Sequence, residues 1–446
     1  MVYGLCPECN QKNTYYAWCK PCNSKRFQND FNNWTSGNEK IDKFIQDSQL
    51  NADANWRAIE WIPYDRFKDV KQIGKGGFGT IHYARWIYGE IKEWDIENQQ
   101  WKRYDNRKVA LKKFDNFVNF NDVLNEMKIH LKIHLKTYIK YSASIQFYGI
   151  TQDPETHSYM MVLEYAFEGN LREYLKINFN NINWYQKLNN LYYLSYKLRD
   201  IHELNIVHQD FHPGNILSIK FKNNIVYISD FGLSKLIGAN PNNPEKKNIF
   251  GVLPYIAPEV LSGDEEYTKA ADVYSFGIIA YEMITGFPPY PDIPHDKDLA
   301  MKICDGLRPK IPFHTPKLIT GIIMRCWDAR VTYRPTFKEL TNELGKYHKD
   351  YNDYLNENKD SEIIIQIKKA EEFSANQEST NTTTTATTTP LNYQTHPQAI
   401  YTSRLLNYAK LPKPKNEENF ERELEELTES TSALSIVASK LHVPDF

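Results

Sequence analysis

Two short polar runs, QDFHPGN at residues 209–215 and ISDFG at residues 228–232, constrain this chain more than any other feature. Asp210 and Asn215 are five residues apart, so one short loop can direct a carboxylate towards a substrate hydroxyl and an amide towards Mg²⁺. Asp230 follows an apolar run, and a carboxylate there is a suitable ligand for Mg²⁺ that also binds phosphate oxygens. Asp and Asn are also common turn residues, so these two runs alone leave a purely structural interpretation open.

A glycine-rich run, GKGGFG at 74–79, lies upstream between two segments that are expected to be strands. Glycines allow a hairpin to bring backbone N–H groups against phosphate oxygens without Cβ clashes, although glycines more often mark only a turn. Further on, VALK ends in Lys112 on a predicted strand, where a buried cation needs a partner. Glu126 on the next predicted helix can provide it, and such a pair holds the ammonium towards nucleotide phosphates. The sequence also allows an exposed Lys112 on an edge strand.

Further motifs follow in a fixed order: APE at 257–259, DVYSFG at 272–277 and RPTF at 334–337. With these motifs, residues 67–345 resemble a eukaryotic protein kinase domain of the tyrosine-kinase-like group. More narrowly, they resemble the large set of such kinases in mycorrhizal fungi, which a CxxC…CxxC segment often precedes. The resemblance implies an α+β, bilobal kinase fold with a small β-rich N-lobe and a larger α-helical C-lobe. It also implies ATP and Mg²⁺ as cofactors.

The resemblance implies roles for individual residues. Asp210 would position the substrate hydroxyl or accept its proton, and Lys112, paired with Glu126, would be the second catalytic residue. Asn215 and Asp230 would hold Mg²⁺. The nucleotide would contact the glycine-rich hairpin, the neighbouring strands, the segment that joins the lobes and the catalytic loop, through Ile73, Gly74, Lys75, Gly76, Gly77, Phe78, Gly79, Ile81, Ala110, Lys112, Glu126, Glu164, Ala166, Asn215, Leu217 and Asp230.

Other matching positions have supporting roles in the family. Leu163 would guard the back of the nucleotide pocket, and the backbones of the residues that follow it would bond adenine. Glu259 of the APE run would pair with Arg334 of the RPTF run, and Asp272 would brace the catalytic loop. The pair and the brace are structural rather than catalytic.

Three positions depart from the family pattern. Gln209 stands where many kinases carry an Arg that binds a phosphorylated residue of the activation loop. In the run DFGLSKLIGANPNNPEKKNIFG that would form this loop, the only hydroxyl belongs to Ser234. The Arg is absent, and the activation loop has no hydroxyl at its centre that could be phosphorylated to bind it. We therefore interpret Gln209 as the loss of one control and not of activity. His212 replaces a Lys that contacts the γ-phosphate in Ser/Thr kinases, and Val252 replaces a Thr that bonds the catalytic Asp.

Three functional hypotheses follow from these observations. The favoured one is an ATP-dependent protein kinase in signalling, directed to Ser/Thr because LPYIAPE at 253–259 resembles the substrate platform of that type. The second is a pseudokinase scaffold that binds nucleotide and partners without efficient turnover, and the three departures motivate it. The third is a zinc-dependent interaction protein in which the kinase domain is secondary.

Four cysteines near the start form CxxC-x9-CxxC, namely Cys6, Cys9, Cys19 and Cys22. Two tight turns of this kind each present two sulfurs to one centre, and four thiolates complete a tetrahedron around Zn²⁺. The segment is too short for a core of its own, so metal binding would supply roughly 10 kcal/mol or more of its folding free energy. Disulfides are the alternative, and they are rare in a reducing compartment.

Composition divides the chain into four parts. Residues 1–26 are expected to form a zinc-ribbon-like module and residues 27–60 a polar linker with a short helix over about 38–50. Residues 61–348 would be the kinase domain. Residues 349–446 are expected to be a largely disordered tail, since NTTTTATTTP at 381–390 cannot bury a core, with an acidic helix over about 420–430 in FERELEELTES.

The bulk composition gives no support for several classes of function. Lys and Arg total 54 against 56 Asp and Glu, so the average charge gives no support for nucleic-acid or membrane-surface binding. No apolar run is long enough to span a membrane. The start of the chain lacks the pattern of a secretory signal, so we expect a cytoplasmic protein, with the nucleus as the alternative. The expected partners are ATP, a protein substrate, and proteins that bind the zinc module or the tail.

Overall fold

The computed structural model describes most of the chain, namely residues 3–77, 79–114, 120–136, 143–223, 225–236, 249–380, 395–408 and 410–427. The chain divides into two units. Unit 1 comprises Met1–Phe167 with Tyr227–Gly232, and unit 2 comprises Glu168–Val226 with Leu233–Phe446. Unit 1 holds most of the β-structure and unit 2 most of the helices, which is the bilobal α+β arrangement that the resemblance implies.

The strands of unit 1 are β1 (Glu60–Trp61), β2 (Phe67–Lys75), β3 (Gly79–Trp86), β4 (Ile91–Asp95), β5 (Gln100–Arg103), β6 (Arg107–Phe114), β7 (Phe147–Gln152) and β8 (Tyr159–Glu164). Six of them form one sheet in the order β1-β7-β8-β6-β3-β2, and β4 pairs with β5 in a separate hairpin. Successive side chains in β6 point to opposite faces, so Val109 and Leu111 are buried in the core with Trp86. Ala110 and Lys112 therefore lie on the other face.

The helices of unit 1 are α1 (Lys20–Asp30), α2 (Glu39–Asn51) and α3 (Phe120–Lys136). The region 27–60, which was expected to be a linker with one short helix, instead packs against neighbouring parts of unit 1. Trp101 of β5 stacks on Trp18 and Phe27, with ring centroids 5.7 and 4.9 Å apart, and the Trp18 indole donates to the Ala52 carbonyl at 3.0 Å. The aromatic rings of the β4–β5 hairpin provide the apolar partner that the polar composition of the region did not reveal.

Unit 2 is mostly helical. Its helices are α4 (Leu171–Asn178), α5 (Trp184–Glu203), α6 (Pro258–Ser262), α7 (Lys269–Thr285), α8 (Lys297–Cys304), α9 (Lys317–Cys326), α10 (Phe337–Glu357) and α11 (Glu362–Thr380). Its short strands are β9 (Ile206–Val207), β10 (Ile216–Lys220), β12 (Lys235–Leu236), β13 (Ile249–Gly251) and β14 (Arg404–Leu406), and β11 (Ile225–Ile228) crosses the boundary along the chain between the units.

Local sequence signals explain where several of these helices begin and end. Capping boxes start α5, through Asn183 and Gln186, and α10, through Thr336 and Glu339. Helix α7 ends at Gly286, which has a φ of 76°. A Cβ there would lie 2.7 Å from the Phe179 ring, so both the backbone conformation and the close packing require glycine.

The described part of the tail is folded, which differs from the expectation of a largely disordered segment over 349–446. Helices α10 and α11 extend to Thr380, and residues 395–408 and 410–427 pack against other parts of unit 2. Leu406 is buried in a cluster with Leu253 and Ile303. Residues 420–427 are helical, in agreement with the expected acidic helix, and 381–394 lie outside the described residues. Apolar residues spaced far apart in a polar tail carry no local periodicity, so the sequence did not reveal this docking.

Candidate functional site

The glycine-rich run forms the turn between β2 and β3. Gly74 pairs with Ile81 across the hairpin, and the Gly76 N–H donates to the Gly79 carbonyl at 2.8 Å. A Cβ on Gly79 would lie 2.2 Å from the Lys113 carbonyl oxygen, so strand packing alone requires glycine there. On Gly74 and Gly76 a Cβ would meet no described atom closer than 3.8 Å. Glycine at these two positions leaves the backbone open to an incoming group such as a phosphate.

The remaining predicted nucleotide contacts of this sheet surround the hairpin. Ile73, Lys75 and Gly77 are exposed, and Ile81 and Ala110 are half-buried. Phe78 lies outside the described residues. The exposed backbone and the small Ala110 side chain leave this face of the sheet accessible to a ligand.

A buried cation lies between two carboxylates in unit 1. The Lys112 side chain is 6% exposed, and its Nζ donates to Glu126 Oε1 at 2.6 Å and to Asp230 Oδ1 at 2.8 Å. The first contact is the pair expected from the sequence, and it excludes the exposed Lys112. The second contact joins the ammonium to the DFG run, 118 residues further along the chain.

The charges of this cluster do not balance. Burial acts to lower the pKa of the Lys112 ammonium, but the Asp230 and Glu126 carboxylates outweigh it and raise that pKa well above its ordinary value. Burial and the charge of Asp230 raise the pKa of Glu126 to about 7, although Lys112 opposes the shift. One ammonium thus faces two carboxylates, and the Asp230 side chain is 31% exposed. The donor set fits a further hard cation such as Mg²⁺ beside Asp230.

The backbone conformation at Asp230 and the glycine at position 232 bring the Asp230 and Glu126 carboxylates close together. Asp230 has a φ of 62°, a left-handed conformation that is uncommon for a residue with a side chain. A Cβ on Gly232 would lie 3.1 Å from Glu126 Oε2 and 3.4 Å from Asp230 Oδ1, so glycine permits the two carboxylates to approach. The ring of Phe231 packs edge-on against His130 of α3, with ring centroids 4.8 Å apart.

The strand before the segment that joins the lobes has the expected residues in order. Leu163 in β8 is buried and pairs with Ala110. The Glu164 N–H donates to the Gln146 carbonyl at 2.9 Å, so this amide is already used within the sheet. Glu164 and Ala166 are half-buried. The roles of these residues towards adenine stay predictions.

The catalytic-loop residues lie in unit 2. Asn215 Nδ2 donates to the Asp210 carbonyl at 2.9 Å and lies 3.4 Å from Asp210 Oδ2, so the amide and the carboxylate are held side by side. Asp210 is buried, and among the described residues its Oδ1 accepts no hydrogen bond. A buried acceptor without a donor is costly, and a substrate hydroxyl would satisfy it. Leu217 follows in β10 and is half-buried.

Asp272 braces this loop through three hydrogen bonds. Its Oδ2 accepts from His208 N at 2.9 Å and lies 2.8 Å from His202 Nε2, and its Oδ1 accepts from Gln209 N at 3.2 Å. Burial acts to raise the pKa of Asp272, but the bonds from His202 and His208 outweigh it and lower the pKa. Gln209 has a φ of 68°. The brace therefore holds a strained backbone directly before Asp210, as the sequence predicted for Asp272.

His212 is held next to the Asp210 carboxylate. Its Nδ1 accepts from Gly214 N at 3.1 Å, so Nε2 is the ring nitrogen left to face Asp210 Oδ1, at 3.6 Å. A Cβ on Gly214 would lie 2.7 Å from His212 Cε1, so glycine makes room for the ring. From the sequence, His212 was noted only because it replaces a Lys. The run His-Pro-Gly, with glycine two residues after the histidine, could have indicated this packing.

Two further contacts define the surroundings of the loop. Ser234 is buried, and its hydroxyl donates to the His208 carbonyl at 2.9 Å, so it is not exposed to a modifying enzyme. The interpretation of Gln209 as the loss of one control stays a prediction. Arg334 makes two 2.7 Å bonds to the carboxylate of Glu259, which is the pair expected from the sequence.

The four N-terminal cysteines converge on one point. Their Sγ atoms all lie within 4.8 Å of one another, with Cys6 and Cys22 at 3.8 Å and Cys9 and Cys19 at 3.5 Å. All four are free thiols, which contradicts the disulfide alternative. Thiolates bound tetrahedrally at about 2.3 Å from Zn²⁺ would be spaced roughly 3.8 Å apart, so the cluster fits such an ion.

The family model described as protein tyrosine and serine/threonine kinase matches residues 42–344, which is more than half of the chain. Among the described residues no helix is long and apolar enough to cross a membrane.

Individual relatives include kinases of different specificity. A protein of Acanthamoeba polyphaga mimivirus named as a serine/threonine-protein kinase/receptor is 32% identical over 309 residues, which cover 68% of this chain and 17% of the relative. A tyrosine-protein kinase of Girardia tigrina is 28% identical over 64% of this chain and 53% of the relative. A dual specificity protein kinase of Dictyostelium discoideum is 29% identical over 64% of this chain and 12% of the relative. The chain therefore spans about half or less of each of these relatives.

Proposed function

The chain belongs to the protein tyrosine and serine/threonine kinase family, and from that premise we propose that it is an active ATP-dependent protein kinase. The observation that carries the proposal is the contact of Lys112 with both Glu126 and Asp230, at 2.6 and 2.8 Å. A protein that had lost phosphoryl transfer would have no need to keep a buried ammonium and two carboxylates in this arrangement, because the charges are costly to bury.

The residues of unit 1 would bind and orient the nucleotide. The open backbone at Gly74 and Gly76 would receive the phosphates, and Lys112, held by Glu126, would neutralise negative charge on them. Asp230, together with Asn215, would hold Mg²⁺, which supplies further charge neutralisation when it is bound. Leu163 would guard the back of the nucleotide pocket, and the backbones of Glu164 and Ala166 would form hydrogen bonds with adenine.

The residues of unit 2 would act on the protein substrate. Asp210 Oδ1, buried and without a hydrogen bond in the described part of the chain, would accept the substrate hydroxyl and orient it for transfer. His212 would take the place of the lysine that contacts the γ-phosphate in Ser/Thr kinases, and its Nε2 would donate a hydrogen bond to that phosphate. Asp272 would keep both side chains in position through the loop backbone.

We also propose finer assignments that rest on resemblance. Transfer to Ser/Thr is favoured by the segment LPYIAPE, and the motif set favours the tyrosine-kinase-like group and its expanded fungal set. A role in signalling and a cytoplasmic or nuclear location are part of the same proposal, and the six free cysteines are consistent with a reducing compartment. The cysteine cluster is proposed to hold one structural Zn²⁺, and the zinc module and tail to bind further proteins.

A transfer assay with labelled ATP, Mg²⁺ and a histone mixture tests the proposed function. We expect Lys112→Met and Asp210→Asn each to lower kcat by about 10²-fold or more, because each removes a charge that acts on the reacting groups. Lys113→Met is the matched control, because Lys113 lies on the same strand but pairs with Asp153 at 2.6 Å. This variant should keep its activity.

The pseudokinase hypothesis makes the opposite prediction for the same samples. Nucleotide would bind to the wild-type protein while no phosphate is transferred, and Lys112→Met would change only the nucleotide affinity. Transfer at the wild-type rate by Asp210→Asn would contradict the catalytic role of Asp210 even if the protein is an active kinase.

A further inference from the structure

The tail of the chain adds a strand to the segment that follows the DFG run. Strand β14 pairs antiparallel with β13, with Ile249 opposite Leu406, Phe250 opposite Leu405 and Gly251 opposite Arg404. Within the described residues β14 is the only strand paired with β13. An extended peptide added to a sheet edge gains affinity from main-chain hydrogen bonds and selectivity from alternate side chains.

Alternate side chains of this tail segment are anchored in unit 2. Leu406 is 4% exposed and packs with Leu253, Ile256 and Leu299, whereas its neighbour Leu405 is 46% exposed. The alternation is that of a strand with one face docked.

The residues before β14 are held as firmly. The Tyr401 hydroxyl donates to the Pro289 carbonyl at 2.8 Å, and its ring lies 4.7 Å from that of His295. The guanidinium of Arg172 lies over the same ring at 4.6 Å and donates to the Tyr401 carbonyl at 2.9 Å. The His295 N–H donates to the Gln398 carbonyl at 2.9 Å.

A second set of contacts fixes the tail beyond β14. The Asn416 side chain accepts from Ala329 N at 2.7 Å and donates to Asp328 Oδ1 at 2.8 Å. The Lys415 N–H donates to the Cys304 carbonyl at 2.9 Å, and Phe420 is buried. Residues 395–408 and 410–427, which are anchored on both sides of β14, are called the strap.

The position of the strap connects it to the catalytic loop. A Cβ built on Gly251, at the end of β13, would lie 3.4 Å from Asp210 Oδ1, the proposed acceptor of the substrate hydroxyl. The edge of β13 therefore leads to that carboxylate, and a peptide that presents its hydroxyl there would run along this edge. In the structure the strap occupies it.

We propose that the strap is an autoinhibitory segment that competes with the protein substrate for the edge of β13 and the apolar surface around Leu406. The competition with substrate rests on the proposed kinase function, whereas the docking of the strap does not. A segment on the same chain has a high effective concentration, so it can lower substrate affinity without preventing ATP binding.

Substitution of the buried anchor in the full-length protein tests the proposal. Leu406→Asp is expected to release β14 and to lower the KM for the histone mixture by about five-fold or more, with the KM for ATP unchanged. Leu405→Ala is the matched control, since it alters the exposed face of the same strand, and it should keep the wild-type KM. Leu406→Ala and Tyr401→Phe provide milder variants if the charged one folds poorly.

Two measurements on the same proteins do not depend on phosphoryl transfer. Hydrogen exchange at residues 249–251 and 404–406 should become faster in Leu406→Asp and not in Leu405→Ala. A labelled synthetic peptide of residues 395–427 should bind Leu406→Asp more tightly than the wild-type protein, whose own strap blocks the site, and it should restore the high KM.

The outcomes separate the two proposals. Unchanged exchange together with no peptide binding to Leu406→Asp would overturn the docked strap. If hydrogen exchange became faster and the peptide bound while the KM of an active enzyme stayed unchanged, the competition of the strap with substrate would be overturned. Released exchange and peptide binding in a protein that transfers no phosphate would contradict the proposed kinase function and leave the docking of the strap supported.

Discussion

At the scale of single residues, charges and glycines determine the candidate site. Lys112 is buried at the cost of its hydration and is held by two carboxylates, and Gly232 lets those carboxylates approach each other. Gly214 has the same function for His212. Each of these glycines is explained by one close contact, so an alanine there would displace a charged or ring side chain of the site.

His134, a buried histidine of α3, gives a prediction of pH dependence. Burial, reinforced by the charge of Arg57, lowers the pKa of His134 to about 4, whereas an unfolded histidine titrates near 6.5. Between these values the unfolded state binds more protons, so the free energy of unfolding decreases as pH falls from about 6.5 to 4. His134 alone accounts for up to roughly 3 kcal/mol.

Chemical denaturation at pH 7, 6 and 5 measures this effect. We expect His134→Gln to have a shallower dependence of unfolding free energy on pH than the wild-type protein, because glutamine does not titrate. The control is His157→Asn, at an exposed position with a φ of 54° that asparagine tolerates. If His134→Gln kept the full wild-type slope, the neutral buried histidine would not be the cause.

At the scale of elements, the cysteine cluster, α1, α2 and the β4–β5 hairpin form one layer. Trp101 of the hairpin stacks on Trp18, directly before Cys19, and on Phe27, after Cys22. Ser24 of α1 donates to the Leu50 carbonyl of α2 at 2.9 Å. The cysteine segment thus contributes to the packing of unit 1 and is not a separate appendage. A metal ion bound by the four cysteines should stabilise the whole layer.

Metal removal tests this coupling. We expect the purified protein to contain one Zn²⁺, and expect a chelator or Cys22→Ser to remove it and to change the tryptophan fluorescence of Trp18 and Trp101. Proteolysis within residues 3–60 should become faster. Cys304→Ala removes a thiol from unit 2 and should retain the metal. Full loss of Zn²⁺ with unchanged fluorescence and proteolysis would show that the metal does not support this layer.

At the scale of the whole molecule, a few buried contacts join parts of unit 2 that are distant in the sequence. Arg334 and Glu259 are 75 residues apart, and both side chains are almost fully buried, at 0% and 4% exposure. The pair joins the start of α6 to the segment before α10. Asp272 joins α7 to the catalytic loop in the same way.

Removal of one partner of this buried pair should be strongly destabilising. We expect Arg334→Met to lower the free energy of unfolding by about 3–5 kcal/mol, because it leaves the Glu259 carboxylate buried and unpaired. Lys176→Met is the control, since both side chains of its ion pair with Glu173 are exposed, at 53% and 57%, and such pairs contribute about 1 kcal/mol or less. Urea denaturation measures both. Equal small losses would contradict the importance of the pair.

Much of the fold and of the site could be predicted from local signals. The helix α2 was expected over about 38–50 and spans Glu39–Asn51. The pairs Lys112–Glu126 and Glu259–Arg334 were predicted from motifs. Capping residues, glycines and short motif spacings act within a few residues, so their meaning can be read along the chain.

The sequence by itself determined which residues bear charge, which turns need glycine and, through motif spacing, the pairs Lys112–Glu126 and Glu259–Arg334. Only the tertiary structure decided that Asp230 shares Lys112 with Glu126, that the aromatic hairpin covers residues 27–60, and that the tail pairs with β13. These contacts join residues separated by tens to more than a hundred positions. Their partners are selected by shape and burial after the chain has folded, and no local periodicity encodes that selection.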